Sequence, residues 1–164
     1  MARPRALGDH RFVTATISLR PAIDADASGV FEVLFWSRKE FLPYASPRTS
    51  DDIREWTRTV LIPGGGVDLA ITGDEIVGVV ATARNDGIGW ITQLYVRPSC
   101  IGRGIGTLLI SHALASLPRP VRLWCFQRNT LARRFYERRG FAPIRFTDGS
   151  ANEERCPDVL YELS

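Results

Sequence analysis

Apolar and polar positions along this chain change their period several times, and each change marks an element. Residues 14–20 alternate apolar with polar side chains over a short run, the signature of a half-buried strand, and Pro21 closes it. The period then lengthens. Val30, Phe31, Leu34 and Phe35 recur at helical spacing, Asp24 stands where a cap belongs, and the helix is expected to end before Pro43. Ser50, Asp51 and Asp52 offer a second cap and acids matched to a helix dipole. Ile53, Trp56 and Val60 give this second helix one apolar face, and the Pro-Gly-Gly-Gly run at 63–66 stops it. Residues 41–49, between the two helices, hold two prolines and read as a loop.

The period next returns to two. Val67–Thr72 and residues 76–84 flank a Gly73-Asp74 turn, and Asn85-Asp86-Gly87 turns the chain into Ile88–Val96, so three strands form an antiparallel meander. A glycine-punctuated stretch then opens a helix that runs to Leu117, and Pro118 and Pro120 precede a strand at Val121–Phe126. Because a helix crosses between them, the strands before and after it should lie parallel, which makes the sheet mixed. Asn129 caps a last helix on which Leu131 and Phe135 share a face, with Gly140 at its C′ position. Residues 141–147 and 159–163 are the final strands, joined by a polar loop at 148–158. No repeat or linker interrupts this order. Residues 13–164 therefore read as one α/β domain and residues 1–12 as a loose N-terminal tail.

At 164 residues the chain is long enough for one substantial core, and its 45% hydrophobic and 24% charged fractions are ordinary for a soluble domain. No apolar run approaches the roughly 20 residues of a membrane span, and the N-terminal residues lack the apolar segment of a signal peptide. Both observations lead to the expectation of a cytoplasmic protein with no membrane partner. Cys100, Cys125 and Cys156 are odd in number and widely spaced, which argues against a disulfide scaffold or a zinc site and suits a reducing compartment. No metal is expected. A net charge of +3 is too mild to argue for nucleic acid, and it is compatible with an anionic small molecule.

The candidate chemistry lies at 94–116, where a strand ends, glycines follow and a helix begins. Gly102, Gly104 and Gly106 alternate with Arg103 and Ile105, just ahead of Thr107. Residues without a Cβ let the backbone curl and bring its N–H groups close to a ligand. The helix mouth adds unpaired donors and partial positive charge, so the segment suits a phosphate or pyrophosphate. A turn that binds nothing is the plainer alternative. A Walker loop would need a Gly-Lys-Ser/Thr run, and the sole lysine is Lys39. A dinucleotide fingerprint would need G-x-G-x-x-G and a later carboxylate, and residues 123–127 offer none.

The segment instead resembles the acyl-coenzyme A loop of the GNAT N-acetyltransferase superfamily, patterned Gln/Arg-x-x-Gly-x-Gly/Ala. Here residues 101–106 read Ile-Gly-Arg-Gly-Ile-Gly. Ile101 departs from the usual Gln/Arg, at little cost if the loop grips through its backbone. A second segment also resembles the family: residues 129–141 carry Asn129, then Ala132-Arg133-Arg134-Phe135-Tyr136, then Gly140-Phe141. The element order as a whole is similar to the GNAT fold. The resemblance implies a mixed sheet of about seven strands, splayed between the fourth and fifth, with about four helices. It implies transfer of an acetyl group from acetyl-coenzyme A to a primary amine, on a small molecule or a protein, without a covalent enzyme intermediate. It further implies cofactor contacts from Leu94, Tyr95, Val96, Gly102, Arg103, Gly104, Ile105, Gly106, Thr107, Asn129 and Tyr136. Tyr136 would also be the general acid that protonates the leaving thiolate. Homodimers are common in the resembled family.

Each candidate has a plainer reading beside the functional one. Tyr136 fits an ordinary core tyrosine, Asn129 a simple cap, and Arg133, Arg134, Arg138 and Arg139 a solvated face. His112 reads as a packed or half-exposed residue and Cys125 as a buried strand thiol. The general base is open. Thr92, Gln93 and Trp124 occupy the positions where some family members carry a carboxylate, and none can replace it. A water chain, or Glu40, Asp86, Asp148, Glu153 or Glu154, would have to serve. The missing carboxylate supports a second reading, a non-catalytic acyl-coenzyme A-binding or sensor module. Nucleic-acid binding through 132–139 is weaker, because aromatic interleaving is sparse. Trp36, Phe41, Tyr44 and Trp90 suit either an acceptor pocket or the core.

Overall fold

The computed structural model describes residues 16–164 apart from Pro43 and Ala45. The tail read at 1–12 and the first residues of the initial strand, 14 and 15, lie outside the described residues. The strands are β1 (Ile17–Pro21), β2 (Val67–Thr72), β3 (Glu75–Asn85), β4 (Ile88–Val96), β5 (Val121–Phe126), β6 (Ala142–Phe146) and β7 (Asp158–Leu163). They form one seven-stranded sheet in the order β1-β2-β3-β4-β5-β7-β6. Every neighbouring pair is antiparallel except β4 and β5, which run parallel on either side of a crossover helix, as the alternating pattern required. Pro21 ends β1 from within, paired with Asp68, and an edge strand tolerates its missing N–H.

The helices are α1 (Ala27–Phe41), α2 (Ser50–Trp56), α3 (Ile105–Ser116) and α4 (Thr130–Glu137). Hydrophobic spacing located all of them, while the local chemistry at their ends differs from expectation. Asp26, and not Asp24, closes the entry to α1: its carboxylate accepts from the Ile23 amide at 2.8 Å and takes a two-pronged contact from Arg20. The Arg20 guanidinium, with that backbone bond, holds the Asp26 carboxyl below the usual carboxylate range. At α2 the cap is Thr49, one residue ahead of Ser50. Its hydroxyl accepts from the Asp52 amide at 3.1 Å while Asp52 accepts from the Thr49 amide at 2.8 Å, a reciprocal capping box. The chain then widens out of α-helical register into a π-turn at Thr57–Leu61, where the Ile62 amide bonds the Thr57 carbonyl. That turn shifts the phase, so Thr57 and Leu61 are buried and Val60, expected on the apolar face, is exposed.

Two apolar layers sandwich the sheet. Residues of α3 and α4, among them Ile105, Leu109, Ile110 and Tyr136, pack on Val80, Val121, Leu123 and Tyr161 of one face. Residues of α1 and the π-turn, among them Val30, Leu34 and Leu61, pack on Leu69, Val79 and Ala81 of the other. No helix among the described residues is long and apolar enough to cross a membrane.

Candidate active site

The site begins with a failure of pairing. β4 and β5 are in register only at Gly89 with Val121 and Trp90 with Arg122, and beyond that point they part. A cleft of 970 Å³ fills the gap, walled by residues 91–96 on one side and 123–126 on the other. Its β4 wall carries a β-bulge: Ala81 pairs with Gln93 and Thr82 with Ile91, leaving Thr92 as the extra residue. The Thr92 hydroxyl donates to the Ala81 carbonyl at 3.2 Å. Beyond the bulge, the amide of Arg97 bonds the carbonyl of Val77. Main-chain groups alternate in direction along a strand, so those of Tyr95 and Gln93 also face β3, and those of Leu94 and Val96 face the open gap. This is a sheet edge inside the molecule, with donors and acceptors spare.

At one end of the cleft lies the mouth of α3. Gly102 and Gly104 both hold φ of 80°, the left-handed region where a Cβ is strained, and Gly104 is the N-cap. The Leu108 amide bonds the Gly104 carbonyl at 3.0 Å. The amides ahead of it, those of Ile105, Gly106 and Thr107, therefore precede the intrahelical ladder. Gly106 lies close against α4: a Cβ there would come within 3.3 Å of the Phe135 ring, which would have to give by a few tenths of an ångström. Arg139 ties the two helices, stacking 3.6 Å over Phe135 and donating to the Phe135 carbonyl and the Thr107 hydroxyl. The mouth thus presents bare amides, a cationic neighbour and no side chain over them, a fit for a diphosphate.

Tyr136 stands further along the same wall. The Asn129 side chain accepts from the Ala132 amide at 3.2 Å and so fixes the start of α4, from which Tyr136 reaches the cleft. Its ring packs edge-on against Phe135 and Phe141. Burial raises the phenol above its ordinary value, with Cys125 and Tyr95 adding to the effect, so it stays protonated and can donate. Cys125, buried beside it, has its thiol pushed up to about 12 by burial and is a poor nucleophile.

Another part of the lining is more polar. Arg38 of α1 donates to the Tyr95 hydroxyl at 3.4 Å and meets Glu154 at 3.3 Å. Asp158 also borders the cleft, with its carboxylate occupied by Thr147 and Asn152. The indole of Trp124 lines the cleft and is 45% exposed.

The profile of the family described as acetyltransferase (GNAT) matches residues 31–141. The chain belongs to the GNAT acetyltransferase family. Solved structures agree on the fold. YjaB of Escherichia coli, in its apo form, is similar at a TM-score of 0.72 and 18% identity, over 90% of this chain and 97% of that one. PaiA N-acetyltransferase of Thermoplasma acidophilum, solved with coenzyme A, gives 0.69 at 21% identity, over 90% of this chain and 98% of that one. Arabidopsis thaliana Naa50, solved with the bisubstrate analogue CoA-Ac-MVNAL, gives 0.67 at 21% identity, over 90% and 98%. No curated protein sequence matches the chain.

Against this GNAT frame, Leu94, Tyr95, Val96, Gly102, Gly104, Gly106, Thr107, Asn129 and Tyr136 all border one cleft. Arg103 and Ile105 do not: Ile105 is buried against Gly78, and the Arg103 side chain is exposed. Arg133, read as solvated, instead donates to the Tyr161 hydroxyl at 3.0 Å and the Gln127 carbonyl at 3.2 Å. Leu131 shares no buried face with Phe135, since it is exposed while Ala132, Phe135 and Tyr136 pack inward. Of the aromatics, Phe41 lines the cleft and Tyr44 packs on Phe126, whereas Trp36 and Trp90 do not border it. Sequence reasoning missed Arg38, Asp158 and the Thr92 bulge. A polar Arg on the inward side of α1 was the one available signal.

Proposed function

We propose that this GNAT protein moves an acetyl group from acetyl-coenzyme A to a primary amine by direct attack. The observation that carries the reading is the internal sheet edge, which runs between the amide mouth of α3 and the phenol of Tyr136. The residues present fit the cofactor: unpaired amides at Gly106 and Thr107, which border the cleft, for a diphosphate, and spare Leu94 and Val96 main-chain groups for an extended amide-bearing arm, bonded as an added strand would be. When bound, acetyl-coenzyme A supplies an acyl thioester open to attack by a neutral amine. The chain does the rest. Its β4 amides hold donors in a low-dielectric gap where negative charge on the thioester oxygen can be met. Tyr136 holds a proton for the departing sulfur. Asn129 anchors the helix that carries it.

The acceptor is a primary amine, on a small molecule or a protein, and the protein works without a metal. Amine-dependent release of free thiol from acetyl-coenzyme A, across a panel of amines, tests this. Coenzyme A binding with no amine-dependent thiol would instead leave a binding module.

A further inference from the structure

We propose that Glu154 is the acceptor-binding carboxylate, the group that receives the ammonium of the incoming amine, and this rests on the transferase reading above. Five acids were candidates for the general base that meets the amine, and the fold separates them by whether they border the cleft. Glu40, Asp86, Asp148 and Glu153 do not border the cleft, and Glu153 is occupied by Arg48 at 2.8 Å on the surface. Glu154 does border it, with its side chain only 18% exposed. The other carboxylate there, Asp158, serves the loop. Its oxygens accept from Thr147 and Asn152, and Asn152 in turn bonds both the carbonyl and the amide of Cys156. That frame holds the segment carrying Glu154 against the cleft.

Glu154 itself is incompletely used. A carboxylate offers about four acceptor positions. Among the described residues Oε1 meets Arg38 at 3.3 Å, longer than a well-made charge-assisted bond, and Oε2 accepts no hydrogen bond. The pair is therefore loosely closed, and Oε2 is free to accept from an ammonium while Arg38 stays on Oε1. Trp124, 45% exposed, lines the same cleft and offers an apolar face for the carbon chain next to the nitrogen. The acceptor this fits is a primary ammonium on a carbon chain.

The test uses the amine that the wild-type chain acetylates best. Glu154→Gln keeps size and hydrogen bonding and removes the charge. It should raise KM for the amine at least tenfold, lower kcat by much less, and leave coenzyme A affinity within twofold by calorimetry. Glu154→Asp should recover part of the loss. An unchanged amine KM in a Glu154→Gln variant that still binds coenzyme A overturns the assignment and leaves the transferase reading intact. If the wild-type chain acetylates no amine, the transferase reading fails and this subsite fails with it.

Discussion

Tyr136 and Cys125 show what burial does to two ionisable groups that share a wall. Both favour their neutral forms, the phenol as a proton donor and the thiol as an inert filler. Tyr136→Phe removes one hydroxyl from a packed ring. It should leave coenzyme A binding in place while lowering turnover by about 10²–10⁴, read by steady-state kinetics beside calorimetry. Cys125 should resist iodoacetamide at pH 8 in the folded protein and react on unfolding, as mass spectrometry would show. The linkage has a definite sign. The folded thiol keeps a proton that the unfolded thiol releases near roughly 8.5, so its contribution to stability is full below that pH. It is lost as the pH rises toward about 12. Denaturant midpoints measured across that range should fall, and fall less steeply in Cys125→Ala. At this scale Asn129 was legible as a cap from its place ahead of the helix, whereas Tyr136 was reached only through the family resemblance, since the spacing read for that helix chose Leu131, which is exposed. Glu154 was named but could not be told from four other acids, because its meeting with Arg38 joins residues 116 positions apart.

Elements were legible where one period ran without interruption. β2, β4 and β5 fall where alternation put them, and α3 begins at the glycines. The failures have local causes. The π-turn at Thr57–Leu61 adds a residue to the turn and rotates the apolar face from Val60 to Leu61, which no 3.6-residue template anticipates. The bulge at Thr92 is hidden in the same way, since alternation continues on both sides of it. Two substitutions probe the helix ends. Asn129→Ala deletes the α4 cap and should cost about 1 kcal/mol in chemical unfolding. Gly106→Val sets branched bulk against Phe135, so the α3 mouth and α4 should separate and coenzyme A affinity should fall at least tenfold while the far-ultraviolet spectrum stays native.

Over the whole molecule, one sheet is held together everywhere except where β4 and β5 part, and the cleft fills that parting. Crossover logic required the two strands to be parallel. Their divergence followed only from the family resemblance, because no pattern in either strand encodes an unpaired edge. The same cleft is bordered by the α3 mouth, by the Arg38–Glu154 pair and by Tyr136. The most direct test of this account is to incubate the purified chain with acetyl-coenzyme A and a panel of primary amines, then identify products by mass spectrometry. The account predicts one class of amine gaining an acetyl group in step with free coenzyme A. Bound coenzyme A with every amine unmodified would contradict it.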